Sequence, residues 1–341
     1  MKLVLLVLSI IVILFPSCTP DTTLTERDIY LISVSDDFYN ENKYSTLKTT
    51  ISDQAALINQ IGTLGNVHVY AFVSHHGKRY ISTPDKTPVF MPADKDCNIL
   101  ESPTDEAFNH FEYIPSSTET TINWTMDDVL TTVGSLPTGE DDIIIFTYSG
   151  HGEENTGALI TYYRGAYRDA QGKLHLLHDT TNREAVIEAF SSISGKKIFF
   201  LDSCFSGNFI SQGTLNTIDT FTTDEDQYEG EDYISAIKCS TLTRKTDTTP
   251  SLWIMAAAGR KQKANDSTDD ADSRVQEHFG TFTYYLLKAL GYNMEKNESE
   301  KKSSSLTFYS IYSYIMASFP SSEIKGQTPR TSLKRLDVKL R

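Results

Sequence analysis

The chain has 341 residues, 39% of them hydrophobic and 11% aromatic, which is enough apolar side chain to build a core and excludes a disordered or low-complexity protein. Its 31 Lys and Arg against 45 Asp and Glu leave a net charge of −14, which argues against nucleic acid as a partner and suits basic substrates. Cysteine is sparse, at Cys18, Cys97, Cys204 and Cys239.

The amino end carries Lys2, an apolar run over 3–15, and then Pro16-Ser17-Cys18. That order predicts a signal peptide over 1–17, since the run falls short of the about 20 apolar residues that span a bilayer. Leu14 to Cys18 resembles a bacterial lipoprotein signal, with cleavage before Cys18 and lipid on its sulfur. The resemblance implies a bacterial cell-envelope protein, anchored to the membrane through Cys18 at its periplasmic or surface face. Residues 18–27 then read as a polar tether and 28–341 as the folded part. Removing the leader takes away only the charge of Lys2, so the mature chain is more acidic still.

From residue 28 onward strands and helices alternate. Residues 28–34 predict a strand, 47–61 a helix by the spacing of Ile51, Ala55, Leu57, Ile58 and Ile61, and 67–73 a second strand. Residues 125–133 predict a short helix with Thr125 as N-cap and Asp127 and Asp128 in its first turn. Strands follow at 142–148, 197–201 and 252–257, with helices at 181–192, 277–290 and 306–319. The strands are unbroken apolar runs, the pattern of strands buried on both faces. This predicts an α/β fold with a mostly parallel sheet and helices on each side. Two stretches fall outside the alternation. Residues 75–120 read as a surface insertion, and 208–250 as a mobile linker loop holding an acidic run and then Lys238, Arg244 and Lys245.

Thiol catalysis needs a cysteine, a histidine to take its proton and N–H groups aimed at the oxyanion, and parallel sheets put such groups at the carboxyl ends of strands. One strand ends in Asp202-Ser203-Cys204-Phe205-Ser206-Gly207, and another in Ser149-Gly150-His151-Gly152. His75-His76-Gly77 also follows a strand, so position alone leaves His76 as a rival base. His175 and His178 share one helical face but lack companion ligands for zinc. No metal or cofactor is expected. In an oxidising compartment a Cys97–Cys239 pair would leave Cys204 free, a pairing that the sequence alone leaves open.

These two segments, with their order and separation, resemble the catalytic signatures of the caspase/metacaspase family. The resemblance runs over nearly the whole mature chain. It takes in residues 47–57 as the family's first helix, 252–264 and Gly280-Thr281-Phe282-Thr283-Tyr284 as its small-subunit opening, and Gly326-Gln327-Thr328-Pro329 as its closing segment. It implies a three-layer caspase-like fold with a roughly six-stranded sheet, divided into a large-subunit-like part (28–207), the linker (208–250) and a small-subunit-like part (251–341). It favours His151 over His76 as general base, with Cys204 as nucleophile and the N–H groups of Gly152 and Cys204 as oxyanion hole. Asp53 and Asp202 would line a pocket for Arg or Lys, making the chain an endopeptidase acting on polypeptides. Self-cleavage would fall at Lys238, Arg244 or Lys245. Phe205 departs from the histidine common in metacaspases, and residues 208–213 lack the acidic groups that bind calcium there. A clostripain- or legumain-like peptidase of other specificity, or an inactive caspase-like binding module, are the alternatives. Oligomeric state is not legible.

Overall fold

In the computed structural model, which describes residues 27–38, 44–75, 78–82, 111–114, 124–168, 174–210, 252–265, 279–302, 305–319, 327–332 and 337–341, the apolar runs are strands. The main sheet runs in the order β10-β9-β8-β5-β1-β2-β3-β4. Its strands are β1 (Asp28–Asp36), β2 (Asn66–His75), β3 (Lys78–Ser82), β4 (Phe111–Ile114), β5 (Ile143–Ser149), β8 (Lys196–Asp202), β9 (Leu252–Ala256) and β10 (Arg330–Thr331). Strands β9, β8, β5, β1 and β2 are mutually parallel, and β10 joins the β9 edge antiparallel. These six make the mostly parallel sheet that the sequence predicts.

Side chains alternate across this sheet, and the helices take one face each. Leu31, Val69, Ile145, Phe200 and Met255 pack under α1 (Thr50–Gly62), α4 (Thr281–Leu290) and α5 (Phe308–Ser318). Ile32, Phe72, Phe146, Phe199 and Ile254 pack under α2 (Met126–Gly134) and α3 (Arg183–Ser191). Every residue of β5 is buried, which is why its run is apolar without alternation. The three layers follow from a sheet that has to hide both faces.

The helix ends carry the chemistry expected of them. Thr125 accepts from the Asp128 N–H while the Asp128 carboxylate accepts from the Thr125 N–H, a capping box at the start of α2. Thr307 and Ser310 do the same for α5.

Two pairs of strands went unpredicted. Strands β3 and β4 lie inside the stretch read as an insertion and extend the β2 edge as an antiparallel ladder. Strands β6 (Leu159–Arg168) and β7 (Leu174–Thr181) form a separate two-stranded sheet with two register shifts. The sequences of these four strands lack the unbroken apolar run that marks a central strand of a parallel sheet. The predicted linker begins inside the fold: Phe209 is buried and Asn208 donates to the carbonyls of Phe205 and Arg260. Residues 211–250, with Lys238, Arg244 and Lys245, lie outside the described residues, as do 1–26 with Cys18.

Candidate active site

All five parallel strands end at one edge of the sheet, and the direction of winding reverses beside β1. The chain passes from β1 to β2 on one side and returns to β5 on the other. Open parallel sheets form their crevice at the carboxyl ends next to such a reversal. The pairings Ser35↔Ser149 and Ser149↔Asp202 align the ends of β1, β5 and β8. The Gly150 N–H extends the ladder by donating to the Asp202 carbonyl at 3.2 Å. His151 stands two residues beyond Ser149, and Cys204 two beyond Asp202. Equal overshoot from adjacent strands in register therefore sets the imidazole-bearing and thiol-bearing residues side by side.

The loop carrying His151 is held from below. The Tyr148 hydroxyl lies 2.8 Å from the His151 carbonyl and 2.5 Å from the Ile160 carbonyl. Burial pushes the Tyr148 phenol far up, so it stays a protonated donor. Any side chain at position 150 would meet that hydroxyl, since a Cβ there would sit 2.6 Å from it. The chain then turns back as a hairpin, with Ile160 N–H donating to His151 O at 3.1 Å and Glu153 N–H to Ala158 O at 2.9 Å. Gly152 faces Leu159 between these bonds, as a non-hydrogen-bonded pair whose own N–H points out of the hairpin. Among the described residues that N–H has no acceptor, and the Cys204 N–H has none on another residue. The loops touch, for a Cβ on Gly152 would fall 1.9 Å from the Cys204 carbonyl oxygen.

Cys204 sits at a sharp turn. Phe205 takes a left-handed φ of 57° that a bulky residue adopts only at a cost of about 1–3 kcal/mol. Its N–H donates to Gln262 O at 2.8 Å, and the next turn, Ser206–Phe209, is anchored by Gly207 N–H to Ala258 O at 2.8 Å. The Cys204 Sγ lies 3.8 Å from the Ala264 carbonyl. Burial raises the thiol pKa, the Ala264 contact opposes this, Asp202 adds to it and Lys263 opposes it. The net shift is upward, so the resting group is the neutral thiol and needs a base to take its proton.

The imidazole has a defined orientation. His151 Nε2 lies 2.8 Å from the Ser45 carbonyl oxygen, which can only accept, so Nε2 carries the proton and Nδ1 holds the basic lone pair. Phe38 and Tyr44 pack against the ring. Ser45, Phe38 and Tyr44 went unnoticed in the sequence. They flank the end of β1, and a main-chain carbonyl or an aromatic ring carries no motif. His76 lies outside the described residues, and His178, the described one of the two candidate zinc histidines, packs its ring on Tyr44 at 4.6 Å.

Asp53 and Asp202 come together. Asp53 is 1% exposed in the first turn of α1, and Asp202 is 9% exposed at the end of β8. Asp53 accepts from Ser149 Oγ at 3.0 Å, Thr49 Oγ1 at 3.3 Å and the Gly280 N–H at 2.9 Å. Asp202 accepts from Thr283 Oγ1 at 2.7 Å and its N–H at 3.2 Å. Gly280 lies between the two, since a Cβ there would stand 2.6 Å from Asp202 Oδ2 and 3.1 Å from Asp53 Oδ2. Two carboxylates from distant segments thus converge two residues from Cys204. Gln327, from the closing segment, braces the chain beyond β9 by accepting from the Asn265 N–H and donating to Ala257 O.

A family model, the caspase domain, matches residues 39–340 of the chain. No curated protein matches it. Among solved structures, the chain is similar to the GSU0716 protein of Geobacter sulfurreducens, with 14% identity over 89% of this chain and 92% of that one at a TM-score of 0.42. It is also similar to caspase-1 of Spodoptera frugiperda, with 12% identity over 90% of this chain and 88% of that one, again at 0.42. With the family match running over residues 39–340, the chain belongs to the caspase domain family, a family of cysteine peptidases.

Proposed function

We propose that the chain is a cysteine endopeptidase that cuts after Arg or Lys through a Cys204–His151 dyad. The observation that carries this reading is the equal overshoot of β5 and β8, which brings a thiol and an oriented imidazole to adjacent positions at the crevice. Nδ1 of His151 takes the Cys204 proton as Sγ attacks the scissile carbonyl. The N–H groups of Gly152 and Cys204 donate to the oxyanion that develops. His151 returns the proton to the leaving amine, the C–N bond breaks, and a thioester remains. Water, deprotonated by His151, then releases the acid and restores the thiol.

The specificity is read from the convergence of Asp53 and Asp202 at Gly280. A guanidinium entering there meets both carboxylates and can pair bidentately, so Arg is favoured over Lys. The polypeptide substrate, self-processing after Lys238, Arg244 or Lys245, and the envelope anchor through lipidated Cys18 belong to the same proposal.

The test is a panel of fluorogenic peptides varied at the residue before the scissile bond. Arg peptides are expected to be cut best, then Lys. Both Cys204→Ala and His151→Ala should lose hydrolysis, while His76→Ala should keep it. Preferred cleavage after Asp or Asn would overturn the specificity, and full activity in Cys204→Ala would overturn the dyad.

A further inference from the structure

Past β9 the chain runs through residues 257–265, and its main-chain carbonyls meet the Cys204 turn one after another. The Ala258 carbonyl accepts from Gly207 N–H at 2.8 Å, the Arg260 carbonyl from Asn208 Nδ2 at 3.1 Å and the Gln262 carbonyl from Phe205 N–H at 2.8 Å. The Ala264 carbonyl lies 3.8 Å from Cys204 Sγ. In return, Ala258 N–H donates to Ser206 Oγ at 3.3 Å. Alternate carbonyls of one segment thus hold residues 204–208 along their length. Phe205 keeps its left-handed φ of 57° against that support.

One side chain sets the shape of the supporting segment. Gln262 closes a turn on Gly259 from both ends: its own N–H donates to Gly259 O at 3.1 Å, and its Oε1 accepts from Gly259 N–H at 2.9 Å. Oε1 also accepts from Thr328 N–H at 3.0 Å, and Nε2 reaches Thr328 Oγ1 at 3.5 Å. Both acceptor sites of one side-chain oxygen are therefore filled by backbone N–H groups of distant segments. The fit at Gly259 is close, for a Cβ there would stand 2.8 Å from Oε1. An apolar side chain of the same length would leave two N–H groups without their acceptor and the turn free to open.

We propose that Gln262 is a positioning residue for Cys204: its side-chain oxygen, holding Gly259 and Thr328 at once, fixes the turn whose carbonyls keep the nucleophile's loop in shape, and with it the direction of the thiol and of the Cys204 N–H. This rests on the reading of Cys204 as nucleophile. Gln262 acts through the Phe205 N–H and not on the reacting atoms, and misplacing a reacting group from such a distance costs up to about 100-fold in rate.

The test uses the full chain and three variants. Gln262→Glu keeps an acceptor for both N–H groups, Gln262→Met keeps the length and removes the acceptor, and Gly259→Ala puts a methyl group against Oε1 from the other end of the bond. Two quantities are read: kcat and KM per site titrated by a thiol-directed peptide probe, and, in a His151→Ala background, the pH midpoint of Cys204 alkylation by iodoacetamide. Gln262→Met and Gly259→Ala should lower kcat about 10- to 100-fold with KM within about two-fold, while Gln262→Glu should stay within about three-fold of wild type. Burial holds the wild-type thiol up. A loosened loop should therefore bring the midpoint down toward the ordinary value of about 8.5 in Gln262→Met and Gly259→Ala, and not in Gln262→Glu. Should Gln262→Met fail to fold, Gly259→Ala carries the test. Fewer titratable sites with wild-type kcat per site and an unmoved midpoint would reduce Gln262 to a packing residue and overturn the inference, as would equal losses in Gln262→Glu and Gln262→Met. If wild type cuts no peptide, the peptidase reading falls, and the midpoint comparison alone still decides whether Gln262 holds the Cys204 turn.

Discussion

At the scale of single residues, burial and backbone contact decide what Cys204 can do. Its thiol pKa is raised mainly by burial. The neutral form therefore persists above the ordinary cysteine value of about 8.5, and thiolate appears only on the alkaline side of it. In His151→Ala, where no base remains, iodoacetamide alkylation of Cys204 should climb with pH through a midpoint above that value. A rate already level by pH 8 would show that the thiol is not held up. The carboxylate pair makes a second prediction. Asp53→Asn keeps a group that can accept from Gly280 and Ser149 while removing the charge, so cleavage after Arg should lose about 2 kcal/mol in kcat/KM. Gly280→Ala inserts a methyl group 2.6 Å from Asp202 Oδ2 and should cost at least as much for Arg peptides. Unchanged kcat/KM in both variants would remove the pair from substrate recognition.

At the scale of elements, the site depends on register more than on any loop. β5 and β8 are paired over seven positions, from Ile143↔Lys196 to Ser149↔Asp202, and a slip of one residue would separate His151 from Cys204 and turn buried faces outward. Tyr148 converts that register into a fixed loop, because its hydroxyl reaches the His151 and Ile160 carbonyls at once. Tyr148→Phe leaves both carbonyls without this donor in a buried place and should cost about 1–3 kcal/mol of stability together with a fall in kcat. Thr125→Ala is the control. It removes the N-cap of α2, on the opposite face from α1, and should cost about 1 kcal/mol while leaving kcat as it was. Chemical denaturation and peptide kinetics on the two variants separate loss of the loop support from loss of stability at large. Equal kcat in both would make Tyr148 a packing residue only.

At the scale of the whole molecule, the proposed self-processing and anchoring join the peptidase to its setting. Intact mass of purified wild type is expected to show two fragments divided near 238–245, and Cys204→Ala one chain. The same two fragments from both would assign the cut to another protease. Cys18→Ser is expected to release the protein from the membrane fraction, and a mature amino terminus upstream of Cys18 would refute the lipid anchor.

The sequence by itself determined the parallel sheet, because strands such as 143–149 have to be apolar throughout when helices cover both faces. It also offered His151 and Cys204, each in a glycine-bearing motif just past a strand of that kind, while His76 met the same description and was set aside only by the resemblance to the caspase/metacaspase signatures. The edges escaped it. β4 is the last strand of its sheet, β3 joins it to β2, and β6 and β7 pair with each other, and none of the four carries the unbroken apolar run that marks a central strand. What only the tertiary structure decided is how the residues meet. Asp53 and Gly280 are 227 residues apart and become partners because α1 and α4 pack on the same face of the sheet. Phe38, Tyr44 and the Ser45 carbonyl reach His151 because β1 is paired directly to β5. A ring's direction and a carbonyl's acceptor are set by packing and backbone angle, and neither is written in residue type or spacing.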